Sequence, residues 1–89
     1  MTADQAKQAF QDMVPVAYRN HNSGTIVKYE RIAEMIYYHK NGRLRCSVAL
    51  TDSNNPWYVR TSTRNIALYD KNKPLTEDNY FKTKMKRSN

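Results

Sequence analysis

The pair Asn41-Gly42 constrains this chain more than any other feature. A two-residue hairpin loop of type I′ holds both central residues at positive φ, which Asn and Gly tolerate better than other residues. Upstream, Ile36-Tyr37-Tyr38 is strongly β-prone. Downstream, residues 43–51 alternate, with Leu44, Cys46, Val48 and Leu50 on one side and Arg43, Arg45, Ser47 and Thr51 on the other. Such alternation marks a half-buried strand. The short loop sets the register: Lys40 faces Arg43, Tyr38 faces Arg45, Tyr37 faces Cys46 and Met35 faces Val48. Tyr37, Met35 and Ala33 then join the apolar side of the second strand. A slip of one residue would destroy that agreement.

The rest of the first strand has two readings. Residues 26–39 form one long bent strand if the hairpin's demand for extension prevails. Over residues 28–35, however, Tyr29, Ile32, Ala33 and Ile36 also fit helical spacing, with Glu30, Arg31 and Glu34 opposite. Elsewhere the pattern is simpler. Residues 2–13 predict a helix, with Ala6, Ala9, Phe10 and Met13 in one apolar stripe and Thr2 and Gln5 spaced as a capping box. Pro15 then ends it. Short strands are expected at residues 16–19, 57–61 and 66–69, with a turn over 51–56 and a tight turn or 3₁₀ step over 62–65. Beyond residue 70, Thr76 can cap a short helix carrying Glu77 and Asp78 at its positive end, with Leu75 stapled to Tyr80. A disordered basic tail is the alternative there.

With 89 residues the chain has room for one domain, expected over 1–70, comprising the helix 2–13 and a β unit over 14–70, followed by a basic tail or short helix over 71–89. A chain this small buries only about 60% of its unfolded surface, so little core can be hollowed into a cleft. Cys46 is the single cysteine, which excludes an intrachain disulfide. Residues 1–5 lack the basic and apolar regions of a signal peptide, and no apolar run reaches the ~18 residues of a membrane span. A cytoplasmic protein with no membrane partner is expected. The net charge of +7 attracts polyanions, whether nucleic acid or an acidic protein surface. Ordinary solubility charge remains the alternative.

The order of helix, strand, long bent strand, Asn-Gly hairpin, strand, turn, strand, 3₁₀ step and short strand resembles the SH3-like small barrel. The likeness is carried by Tyr29-Glu30-Arg31-Ile32, Asn41-Gly42-Arg43-Leu44, the turn at 52–56 and Ile66, and it covers about residues 14–70. It also resembles single-domain barrel proteins of phages and mobile elements. The resemblance implies a mainly β (α+β) fold, an antiparallel barrel with an N-terminal helix and a short C-terminal helix or basic tail. It implies nucleic-acid or peptide binding as the usual role of such barrels.

The sequence offers little to catalysis, and no enzymatic activity, metal or cofactor is expected. His21 and His39 lie in different segments, and no spacing of His and Cys suits zinc. His39 would face Leu44, two residues from Cys46, but a cysteine alternating with aliphatic residues behaves as a small hydrophobe. Glu30 and Glu34 would form solvated ion pairs with neighbours such as Lys28 and Arg31. No glycine-rich phosphate loop exists.

The informative arrangement is the polar side of the hairpin, where Tyr38, Lys40, Arg43 and Arg45 cluster and Tyr58 and Arg60 extend the cluster onto the next strand. Rings can stack on bases while Arg and Lys meet phosphates. Like charges at Lys40 and Arg43, directly cross-strand, are mildly unfavourable for folding and so favour a functional reason. The plainer alternative treats the tyrosines as good β-formers, with Ile36 in a second apolar layer under the N-terminal helix. Lys82, Lys84, Lys86 and Arg87 would add nonspecific phosphate affinity. The competing functional expectation is a protein-interaction module, an accessory or phage-type factor docking on an acidic host surface and inhibiting it, anchored by Trp57 or Tyr18.

Overall fold

The first turn of the N-terminal helix is closed by its own side chains. In the computed structural model, which describes residues 1–81 apart from the side chains of Asn55, Pro56 and Trp57, α1 spans Ala3–Asp12. The Gln5 N–H donates to Thr2 Oγ1 at 3.1 Å and the Thr2 N–H donates to Gln5 Oε1 at 2.8 Å. This reciprocal cap contributes about 1 kcal/mol. Ala6 and Ala9 are buried, and their small side chains let α1 approach the sheet beneath it. Met13 departs from the predicted stripe: it takes the left-handed conformation at φ 56° to end the helix and is 63% exposed.

Six antiparallel strands follow: β1 (Val16–Arg19), β2 (Ile26–Tyr29), β3 (Arg31–Lys40), β4 (Arg43–Asp52), β5 (Asn55–Ser62) and β6 (Ile66–Leu68). They form two three-stranded sheets in the orders β2-β1-β6 and β3-β4-β5. The expected single barrel is not closed, although the fold is mainly β as predicted. The long strand is interrupted at Glu30, where the chain leaves one sheet for the other. β2 pairs with β1, β3 pairs with β4, and the Glu30 N–H donates to Thr51 O at 3.1 Å. Residues 28–35 are therefore not helical. Ladder bonds to β1 and β4 override a helical spacing that carried no tertiary partner. Glu30 and Glu34 make no ion pair with Lys28 or Arg31 among the described residues. Glu30 instead accepts from Ser53 Oγ at 2.7 Å, and Lys28 Nζ lies 5.0 Å from the Tyr69 ring centroid.

The hairpin register is the predicted one from Lys40↔Arg43 through Met35↔Val48. Asn41 and Gly42 carry φ values of 55° and 74°, as the turn requires. A bulge between Ile32 and Glu34 then shifts the pairing so that Ile32, not Ala33, faces Leu50. This corrects the predicted apolar side, because one extra residue exchanges the two faces of a strand. Ile32 joins Val16, Val48, Leu50 and Ile66 as the fully buried centre, with Ala6, Ala9 and Tyr29 around it. Each such aliphatic side chain contributes roughly 1.5–3 kcal/mol by burial. The core thus joins α1 to both sheets.

β5 begins earlier than expected, since Asp52 pairs with Asn55 and the turn shrinks to Ser53-Asn54. The 3₁₀ turn Thr63–Asn65 leads into β6 as predicted. Thr76 caps α2 (Glu77–Tyr80), accepting from the Asn79 N–H at 3.3 Å. Tyr80 anchors this helix: its hydroxyl donates to Asp70 O at 2.8 Å and its ring stacks on Tyr69. No helix among the described residues is long and apolar enough to cross a membrane.

Leu50 is buried and Leu44, on the same side of the same strand, is 63% exposed. Leu50→Ala is expected to cost about 2–5 kcal/mol in urea denaturation, as a core truncation does. Leu44→Ala should change stability by no more than about 0.5 kcal/mol. Equal losses would contradict this placement of the hairpin.

Candidate nucleic-acid interface

Where β5 stops, the hairpin continues alone. The last β4–β5 pair is Ser47↔Ser62, whereas β3–β4 pairing runs on to Lys40↔Arg43. Residues 37–46 therefore project as a two-stranded ribbon of roughly 13 Å at about 3.3 Å per residue. Its sequence contains no carboxylate and supplies Lys40, Arg43 and Arg45 to one side. Nothing within the ribbon neutralises them.

Strand pairing fixes which side each residue occupies, because cross-strand partners project together. Tyr38 pairs with Arg45, Ile36 with Ser47, Ser47 with Ser62, and Ala49 with Arg60. Tyr38, Lys40, Arg43, Arg45 and Arg60 consequently share the side of β3-β4-β5 opposite the core, as predicted, and Tyr58, past the last regular pair, joins them by its alternation with Arg60. The helix covers the other side, with Ile32, Met35, Val48 and Leu50. Ile36 is thus not in an apolar layer under α1. Among the described residues, the only carboxylate paired onto the basic side is Glu34, at its inner end.

One arrangement on this side was not legible beforehand. Arg60 reaches diagonally across β4, donating from Nε to Ser47 Oγ at 3.3 Å, and its guanidinium carbon lies 5.9 Å from the Tyr38 ring centroid. This is possible because Ser47 and Ala49, the central residues beneath it, are small and buried. The signal available in the sequence was Ser47 itself, a small polar residue in line with Arg43 and Arg45. Arg60 and Tyr38 are thereby held in one geometry, while Tyr58 remains 60% exposed. A guanidinium beside a ring and a second, exposed ring together can meet a phosphate and a base.

The other side of the ribbon holds Tyr37, His39, Leu44 and Cys46. Tyr37 is 50% exposed. His39 faces Leu44 as predicted, and Cys46 Sγ donates to the Ser47 carbonyl at 3.6 Å. Partial burial pushes the Cys46 thiol above its ordinary range, the opposite of what a nucleophile needs. No group of three His, Cys, Asp or Glu among the described residues could hold a metal.

Tyr18 packs edge-on against the Tyr29 ring, 5.8 Å away, and so is a core contact rather than an exposed anchor. The side chain of Trp57 lies outside the described residues, as do Lys82, Lys84, Lys86 and Arg87. No protein-family model matches the chain, and no curated protein or solved structure matches it significantly. The class of protein defined here is a small, mainly β domain with a projecting basic ribbon.

Cys46 is expected to alkylate more slowly than free cysteine at about pH 8, since its raised pKa lowers the thiolate fraction. Iodoacetamide labelling followed by mass spectrometry measures the rate. Labelling faster than free cysteine would reinstate an activated thiol.

Proposed function

We propose that this protein is a non-enzymatic nucleic-acid-binding domain whose contact surface is the basic side of the β3-β4-β5 sheet. The observation that carries the reading is the convergence of Tyr38, Lys40, Arg43, Arg45, Tyr58 and Arg60 on one side, away from the core. Arg43 and Arg45 neutralise phosphates from the ribbon, and Tyr58 offers a face on which a base stacks. The like-charged pair Lys40–Arg43 at the ribbon tip is a folding cost that phosphate contact relieves. We also read the two sheets as an opened form of the SH3-like barrel. Support comes from the bend at Glu30 that passes one strand between sheets, and from the 3₁₀ turn before the last strand.

A second reading has its own support. Tyr37 and Leu44 are exposed on the opposite side of the ribbon, so the same arm offers an apolar contact to a protein. In that reading the cations dock on an acidic partner surface, and the aromatic ring anchors it.

Fluorescent single- and double-stranded DNA and RNA titrated at several salt concentrations separate the two. Binding is expected at about 50 mM salt, with log K falling as log salt rises. Changing Arg43 and Arg45 together to Glu should abolish it. No binding at low salt removes the first reading, and a pull-down from bacterial lysate then tests the second. Unchanged binding by the double variant would assign the wrong surface.

A further inference from the structure

A second basic feature lies where the two sheets meet. Tyr18 pairs with Ile66, so Arg19 at the end of β1 stands level with Asn65, the last residue of the 3₁₀ turn. Together with His21, Ser62 and Arg64 these residues line an open cleft of about 420 Å³. His21 sits in the turn between β1 and β2. That turn is held by Ser23 and Gly24 N–H bonds to Asn20 O at 3.2 and 2.7 Å, with Gly24 at φ 76°. Asn65 is buried and donates to Thr61 Oγ1 at 3.1 Å, fixing the opposite wall.

The cleft has unmet capacity for an anion. Arg64 is exposed, and its guanidinium makes no ion pair or side-chain hydrogen bond among the described residues. Arg19 is held on one side by Glu77, which pairs with Nη1, and by Phe81, whose ring centroid lies 4.6 Å from the guanidinium carbon. Its Nε is shielded from solvent and has no hydrogen-bond partner. An atom shielded from solvent is closed to an oxyanion too, so an anion in the cleft meets the exposed guanidinium of Arg64 and the positive charge of Arg19 rather than that Nε. Neither Glu77 nor Phe81 lines the cleft, so both hold the guanidinium from outside it.

We infer that the Arg19–His21–Arg64 cleft is a phosphate-binding subsite that takes one phosphodiester of a nucleic-acid backbone. The inference rests on the nucleic-acid reading for its source of phosphate. Ser62 joins the two regions: it lines the cleft and pairs with Ser47, whose hydroxyl accepts from Arg60 on the basic sheet face. Ser62 thereby links the cleft to the sheet face that carries Arg60, Arg45 and Arg43. Glu77 competes for Arg19, so the carboxylate weakens the site from outside its lining.

The test uses inorganic phosphate first, without nucleic acid. In a ¹H–¹⁵N titration, phosphate but not chloride should shift the amides of Arg19, His21, Ser62, Arg64 and Asn65 and the Arg19 Nε–H. Arg64→Ala is exposed and leaves the fold intact by its unchanged spectrum elsewhere. It should weaken phosphate about tenfold, the effect of losing one charged hydrogen bond. Glu77→Gln should strengthen it. Oligonucleotide titrations of the same variants form the second arm, in which Arg64→Ala should lower affinity and reduce the salt slope by about 1. Phosphate binding without any oligonucleotide binding removes the nucleic-acid reading and leaves an anion site. Absence of phosphate shifts in the cleft, or oligonucleotide affinity unchanged by Arg64→Ala, overturns the subsite.

Discussion

The positive φ values at Asn41 and Gly42 are the constraint on which the rest of this structure depends. They close a hairpin in a single register, and that register separates two chemistries along the same strands. Val48 and Leu50 go inward to meet α1 and the other sheet, while Arg43, Arg45 and Ser47 go outward. A different turn would mix charge into the core. The proposed contact face of the β3-β4-β5 sheet is a consequence of this sorting.

The same hairpin is longer than the body it serves. Core packing ends near Val48, yet β3 and β4 continue pairing to the turn. Residues beyond that point are held by ladder hydrogen bonds and not by burial, which leaves Tyr37, Leu44 and three cations at the surface. At the base of this arm, Arg60 lies across the small residues of β4 and meets Tyr38. The arm is thus braced by a side-chain contact where it leaves the sheet and exposed where it ends.

Much of the fold was legible residue by residue. The capping box at Thr2 and Gln5, the first strand at Val16–Arg19, the hairpin register, the 3₁₀ turn and the Thr76 cap all depend on neighbours within a few positions. The misreadings lie where distant elements decide. Ala33 lost its core place to Ile32 because a bulge between Ile32 and Glu34 shifts the pairing with β4. Met13 left the helical stripe because the chain must turn toward Pro15 and β1. The bent strand broke at Glu30, so the strands form two three-stranded sheets rather than one closed ring.

The candidate site divides in the same way. Alternation and the Asn-Gly turn alone placed Tyr38, Lys40, Arg43 and Arg45 on one side, since strand period and loop length are local properties. That Tyr58 and Arg60 share this side also followed from pairing with β4. Only the tertiary structure brought Arg19, His21 and Arg64 to one cleft, because they come from separate segments joined across the two sheets. Only it distinguished Tyr18, half-buried against the core, from Tyr58 at the surface, two tyrosines of equal local propensity. The hairpin itself was determined by its sequence, because its turn and its alternation agree within one short segment. What surrounds it was decided by packing, which no short segment encodes.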